Sequence, residues 1–250
     1  MIRGLYTAAA GMMVEAARQE IITHNLANSE THGFKKDLAV QLTQTAVPLV
    51  RAGGPTGGSR QVLGTLDWGV LVAGIHTSGE QGSLQETGRA LDLALSGEGF
   101  FAVETPRGVR YTRNGAFTVD AERFLVTENG DRVLGTGGFI RLPEGETVID
   151  EAGRIYTGGI LTGQLQLTVF SEPAVLQKDR DALFAAPEDA ETVPFDGQVR
   201  QGYLESSNVS VADEMVRMLV ALRAYETNQR VIQVQNEMLG KAVNEVGALR

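Results

Sequence analysis

The chain has 250 residues, 22 lysines and arginines against 31 aspartates and glutamates, a net charge of −9 at pH 7, and no cysteine. Excess acid without a basic cluster argues against nucleic acid as a partner, because phosphate binding begins with a positive footprint. The lack of cysteine excludes disulfides and thiolate metal sites. No apolar run reaches the eighteen or so residues of a spanning helix, so no membrane insertion is expected.

The chain opens with Arg3 and an uncharged run over residues 4–14 that imitates a secretory signal. No credible cleavage site follows, and the apolar periodicity continues past Glu15 and Arg18 to Leu26, which predicts mature helix and no cleaved signal peptide. Leu5, Ala9, Met12, Ala16, Gln19, Thr23 and Leu26 keep the 4-3 spacing of a helix seam. Small residues at 8–11 and 16–17 permit close approach of helix axes. The helix runs into Asn25-Leu26-Ala27-Asn28, then Thr31, Gly33, Phe34 and Lys35. Asn28 and Gly33 are natural left-handed stop residues, and Phe34 is an apolar anchor for the loop that turns the chain back.

Residues 36–90 carry the weakest pattern. Residues 53–60 have the composition of a flexible linker; as a phosphate loop they lack the lysine and the strand-to-helix context. From residue 91 the period changes to that of short strands. Asn129-Gly130 and Asn114-Gly115 each stand between strand-like runs and predict hairpins, since both turn positions tolerate positive φ. Leu165, Leu167 and Val169 alternate with polar residues as a half-buried strand does.

Residues 210–249 read as one amphipathic helix of about 58 Å, longer than a compact chain of this size can bury along its length. With Val211 as position a, the seam runs through Val211, Met218, Tyr225, Ile232, Leu239 and Val246, alternating with Met215, Leu222, Gln229, Asn236 and Val243. A second stripe through Val216, Val220, Val231, Val234, Met238 and Ala242 would stay wet against a single partner helix. The helix is therefore expected to be shared among subunits. If the two terminal helices run antiparallel and start and finish together, facing residue numbers add to about 251 by equal rise along both helices, which sets Thr23 beside Gln229 as a polar register lock.

Asn25-Leu26-Ala27-Asn28 with Thr31, Gly33, Phe34 and Lys35 resembles the N-terminal signature of the bacterial flagellar rod and hook proteins. Asn208-Val209, Asp213-Glu214-Met215-Val216 and Arg223-Ala224-Tyr225-Glu226 resemble the C-terminal signature of the same family. Between them, Asp92-Leu93-Ala94-Leu95, Tyr111-Thr112-Arg113-Asn114-Gly115 and Gly202-Tyr203-Leu204-Glu205 are similar to its body motifs. The length and the motif set look closest to rod proteins of the FlgF and FlgG type. One departure is Asp120-Ala121-Glu122-Arg123-Phe124, where such proteins often have a glycine and this chain must build the turn without one.

The resemblance implies an α+β fold, long N- and C-terminal coiled-coil helices flanking an inserted all-β domain. The expected division is 1–35 with 205–250 as the helical layer, 36–90 as an extended excursion packing between subunits, and 91–204 as the β body. It implies a structural subunit of the flagellar basal body, exported by the flagellar apparatus, which polymerises with itself, meets other rod and hook proteins, passes through the peptidoglycan layer and carries torque. The hook protein and a wall-lytic enzyme are the rival expectations. No catalytic, metal or cofactor site is expected: His24, His32 and His76 lack ligand spacing, and the carboxylates scattered through the hairpins form no recognisable pair.

Overall fold

A computed structural model describes residues 2–43, 47–51, 61–66, 69–171, 176–179, 182–187 and 189–247. The fold is α+β: helix α1 (Ile2–Ala27) and helix α2 (Val211–Gly247) flank a region made of strands. The predicted linker at 53–60 lies outside the described residues. The chain divides into two compact units, one of Met1–Leu26, Asp37–His76 and Val211–Arg250, the other of Ala27–Lys36 and Thr77–Ser210.

Among the described residues the helical unit holds α1, α2 and four strands: β1 (Asp37–Thr43), β2 (Val47–Arg51), β3 (Gln61–Leu66) and β4 (Val70–Thr77). β1 pairs with β4, and β2 pairs antiparallel with β3, and these two ladders make up the described part of an arm. Gly69 sits on α1, where an added Cβ would lie 3.2 Å from the Ala10 methyl.

The helices run antiparallel, but in another register than equal ends require. A Cβ on Gly4 would come within 2.6 Å of the Gln235 amide, and one on Gly11 within 2.8 Å of the Asn228 amide, so facing numbers add to 239. The reason is the tether. α1 ends at Ala27 and α2 begins at Val211, so the two are level at the end where the strands leave and return. With 37 residues against 26, α2 overhangs at its C-terminal end. The Thr23–Gln229 lock is not formed: the Thr23 hydroxyl donates to the Gln19 carbonyl at 2.7 Å, and Gln229 is exposed.

The second unit, the β body, contains seventeen strands among the described residues. They are β5 (Leu84–Glu86), β6 (Leu93–Ser96), β7 (Phe100–Thr105), β8 (Gly108–Thr112), β9 (Phe117–Val119), β10 (Leu125–Thr127), β11 (Arg132–Gly135) and β12 (Gly138–Phe139). There follow β13 (Thr147–Ile149), β14 (Arg154–Thr157), β15 (Ile160–Gln164), β16 (Leu167–Phe170), β17 (Gln177–Lys178), β18 (Leu183–Ala185), β19 (Thr192–Val193), β20 (Gln198–Gln201) and β21 (Tyr203–Glu205). The main sheet runs β17-β18-β8-β7-β11-β10-β9, and β13-β14-β15 forms a separate meander. The chain returns through β20 paired with β6 and β21 paired with β5. The core between these layers contains Leu93, Phe101, Val103, Phe117, Leu125 and Ile155, with the Phe101 and Phe117 rings edge to face at 5.2 Å.

Local turn chemistry decides one of the two expected hairpins. At Asn129-Gly130, Gly130 has φ +86°, and β10 meets β11 with Val126 opposite Arg132. Asn114-Gly115 makes no hairpin: β8 pairs with β7 and β18, while β9 pairs with β10. Gly115 is needed for close approach instead. A Cβ there would collide with the Leu93 carbonyl, and the Leu93 N–H donates to the Gly115 carbonyl at 3.0 Å. The half-buried strand read through Leu165, Leu167 and Val169 is met in part: Leu165 is buried and Leu167 packs against the core, while within β16 the buried residues are Thr168 and Phe170. At the glycine-free turn Arg123 itself takes φ +70°, held by its guanidinium donating to the Leu142 and Pro143 carbonyls. The Asp120 carboxylate accepts the Phe124 N–H at 2.7 Å and closes the turn.

Candidate functional site

Two surfaces and one buried junction gather the residues singled out by sequence. The junction lies in the β body, where three motifs far apart in the chain converge on Glu205. Gly33 has φ +67°, and its N–H donates to the Glu205 carbonyl at 2.7 Å. Phe34 is buried under the Lys178 ammonium, 3.7 Å from its ring centre. The Lys35 ammonium donates to Glu205 Oε1 at 2.6 Å and to the Glu80 carbonyl at 2.7 Å. Arg113 donates through Nη1 to Glu205 Oε2 at 3.2 Å and through Nη2 to the Gly97 carbonyl at 2.7 Å. The Gly82 N–H completes the set on Oε1 at 2.9 Å.

The electrostatics follow from burial. Desolvation pulls the Lys35 ammonium below the ordinary lysine range even though the Glu205 carboxylate opposes it. Arg113 is pulled down for the same reason, again against Glu205. A buried, paired ion cluster adds little net stability but tolerates no missing member, so it specifies how the three segments join.

The asparagines of the motifs do backbone work. Asn25 is buried in the helical unit, and its side-chain amide accepts the Asp37 N–H at 2.9 Å and donates to the Asp37 carbonyl at 2.8 Å, as a strand neighbour would. Asn208 Oδ1 accepts the Lys36 N–H at 2.7 Å, while Nδ2 donates to the Glu80 carbonyl at 3.0 Å. Leu26 is half-buried and Ala27 exposed at the end of α1; Asn28 Oδ1 accepts the Thr31 hydroxyl at 3.2 Å.

The seam residues are divided by the helix pairing. The inward face of α2 is Glu214, Met218, Ala221, Tyr225, Asn228, Ile232, Gln235 and Leu239, a 4-3 series that shares Met218, Tyr225, Ile232 and Leu239 with the expected seam. The alternate positions expected to be inward point elsewhere: Met215 is 52 % exposed, Leu222 43 % and Val243 70 %, and Val211 is exposed too. The Val246 side chain lies outside the described residues. On α1 the buried residues are Ala8, Val14, Ile22 and Asn25, whereas Leu5, Ala9, Met12 and Leu26 are half-buried and Ala16 is exposed. The physical cause is size. Glycine and alanine at 4, 8 and 11 let α1 sit close, and Gly4 and Gly11 receive the Gln235 and Asn228 side chains of α2.

Two apolar surfaces stay uncovered within the helical unit. One follows α2 through Met215, Leu219, Leu222, Val234 and Met238; the other follows the arm through Leu42, Val62, Leu63 and Ile75. Among the described residues no group of three or more His, Asp or Glu could hold a metal ion, and no helix is long and apolar enough to cross a membrane. His24 is half-exposed, 3.5 Å from the Asp37 carboxylate.

Known proteins match both ends and the body of the chain. Residues 5–35 match the family described as flagella basal body rod protein, residues 94–157 the flagellar hook protein FlgE/F/G D1 domain, and residues 200–245 the flagellar basal body rod FlgEFG protein C-terminal region. The flagellar basal-body rod protein FlgG of Borreliella burgdorferi is 37 % identical over 98 % of both chains, and FlgG of Bacillus subtilis 33 % identical over 98 % of this chain and 99 % of its own. FlgF of Caulobacter vibrioides is 32 % identical over the full length of both. The chain belongs to the flagellar basal-body rod protein family. The convergence of Lys35, Arg113 and Glu205 was beyond sequence reasoning, although each lies in a glycine-containing motif, where a charged residue beside tight backbone hints at burial.

Proposed function

We propose that this chain polymerises through its helical unit into the flagellar rod, the shaft that carries torque from motor to hook. The observation that carries the reading is the exposed apolar face of α2 through Met215, Leu219 and Leu222, which the intrachain helix pair leaves open. Removing that face from water favours association at roughly 25 cal/mol per Å². The inner face already satisfies the 4-3 spacing against α1, and the outer stripe supplies a second seam for helices of other copies, so the helical layer becomes a coiled coil across subunits. A head-to-tail contact that does not close yields a helical polymer.

In this reading residues 1–35 with 205–250 form the inner helical layer, 36–90 the arm between subunits and 91–204 the outer body. The seam between copies is carried by the outward-facing Val211, Met215, Leu222 and Val243, while Met218, Tyr225, Ile232 and Leu239 serve the pairing with α1. The subunit is structural rather than enzymatic, leaves the cytoplasm through the flagellar export apparatus, meets other rod and hook proteins and traverses the peptidoglycan. Sedimentation and electron microscopy of the purified chain at rising concentration test the polymer, and complementation of a deletion strain with Leu222→Asp tests the seam. Normal motility and polymer formation by that variant would remove the outer stripe from the account.

A further inference from the structure

The β body contains a cavity of about 150 Å³ beside the charged junction. Its walls include Phe100, Val169, Phe170 and Phe184, and it is also lined by Lys35 and Arg113. A cavity of this size accommodates a benzene-sized group. The Phe184 ring meets Phe100 edge to face at 5.3 Å, which gives the apolar wall a fixed shape.

The cationic side has unused donors. The Arg113 side chain is 5 % exposed; of its five N–H donors one goes to Glu205 and one to the Gly97 carbonyl, and its guanidinium lies 5.5 Å from the Phe100 ring centre. Lys35, with three N–H donors, uses two, on Glu205 and the Glu80 carbonyl. Two buried cations face one buried carboxylate, Glu205, and Glu98 at the lining is exposed to water. A surplus buried charge is costly until an anion arrives.

We propose that this cavity is a carboxylate-binding site, taking a carboxylate carried on a short apolar or aromatic stem, with Arg113 and Lys35 as donors and the phenylalanine rings around the stem. One negative charge balances the pair of cations against Glu205, whereas a dianion such as phosphate overshoots and leaves the apolar wall against a hydrated group. Two sources have this chemistry, a free organic acid and an acidic side chain of a neighbouring copy of this acid-rich chain.

Benzoate is the probe, titrated into the full chain and followed by calorimetry and by the Arg113 Nε–H resonance, with benzamide as the neutral isostere. Benzoate is expected to saturate and shift that resonance, and benzamide to bind at least about tenfold more weakly, since charge-assisted hydrogen bonds are lost. Gly79 lines the cavity, and a Cβ added there meets open space, so Gly79→Leu should occlude the site without unfolding the chain and weaken benzoate by a similar factor. No benzoate binding, equal binding of benzamide, or an Arg113 Nε–H that does not move overturns the proposal, and the last readout stands even if the variant misfolds. Saturating benzoate that slows polymer growth, where benzamide does not, assigns the site to a neighbouring copy's side chain; unchanged growth with full binding assigns it to a free acid.

Discussion

The β body and the helical unit spend their apolar residues in opposite ways. In the body Phe101 and Phe117 are 0 % exposed and pack on each other inside a closed core. In the helical unit Met215, Leu219 and Met238 stand more than half exposed along one helix, and Val62 and Ile75 do so on the arm. A region that buries its own large side chains carries its stability within the chain. One that leaves them in water carries a surface whose stabilisation arrives with a second molecule. The difference separates what must fold before assembly from what assembly completes.

The contrast can be broken most sharply from the body side. Phe117→Ala empties part of the core and should cost about 3–5 kcal/mol, read as a lower urea midpoint for the loss of strand signal. A comparable loss of about 3–5 kcal/mol is expected for Glu205→Ala, which strands the Lys35 and Arg113 charges in the interior. If either variant unfolds at the wild-type midpoint, the body does not hold its stability where the geometry places it. Within the helical unit, Gly11→Leu forces a side chain against Asn228 and should weaken the helix pair by about 1–3 kcal/mol, seen as faster amide exchange in both helices.

On the other side of the contrast, Leu222→Asp should change monomer stability by no more than about 0.5 kcal/mol, because that side chain is already wet, while polymer formation and swimming are lost. A large fall in monomer stability would mean that the outer stripe is part of the intrachain fold. The smallest effect concerns acid. Burial pushes the Asp150 carboxyl up, but the N–H groups of Arg154 and Ala152 and the Arg154 guanidinium outweigh it and hold the group below its usual value of 3.8. A carboxyl depressed in the folded state contributes stability that is present above the unfolded value and fades as pH falls through the folded one. Asp150→Asn should therefore lose less stability than the wild type when pH is lowered from neutrality to below 3.8; parallel acid curves would show that the turn gains nothing from the charge.

Local chemistry was readable wherever a few adjacent residues hold all the relevant atoms. The helices follow from sustained 4-3 periodicity, and the turn at Asn129-Gly130 follows from a backbone that needs positive φ. The same dipeptide at Asn114-Gly115 misleads, because there the glycine answers to the Leu93 carbonyl, a neighbour that no local window contains. The family signatures were visible as Gly33-Phe34-Lys35, Tyr111 to Gly115 and Gly202 to Glu205, yet nothing in those strings says that Lys35 and Arg113 meet on Glu205.

The sequence by itself determined that two amphipathic helices bracket a strand-rich body, since hydrophobic period is a property of the chain alone. It also determined that more apolar surface exists on α2 than one partner helix can cover. Only the tertiary structure decided which face turns inward and in what register. Periodicity marks a stripe without saying what covers it. The choice fell to the glycine and alanine face of α1 and to the point where both helices join the β body, so Leu222 was left in water and Ala221 went to the interface.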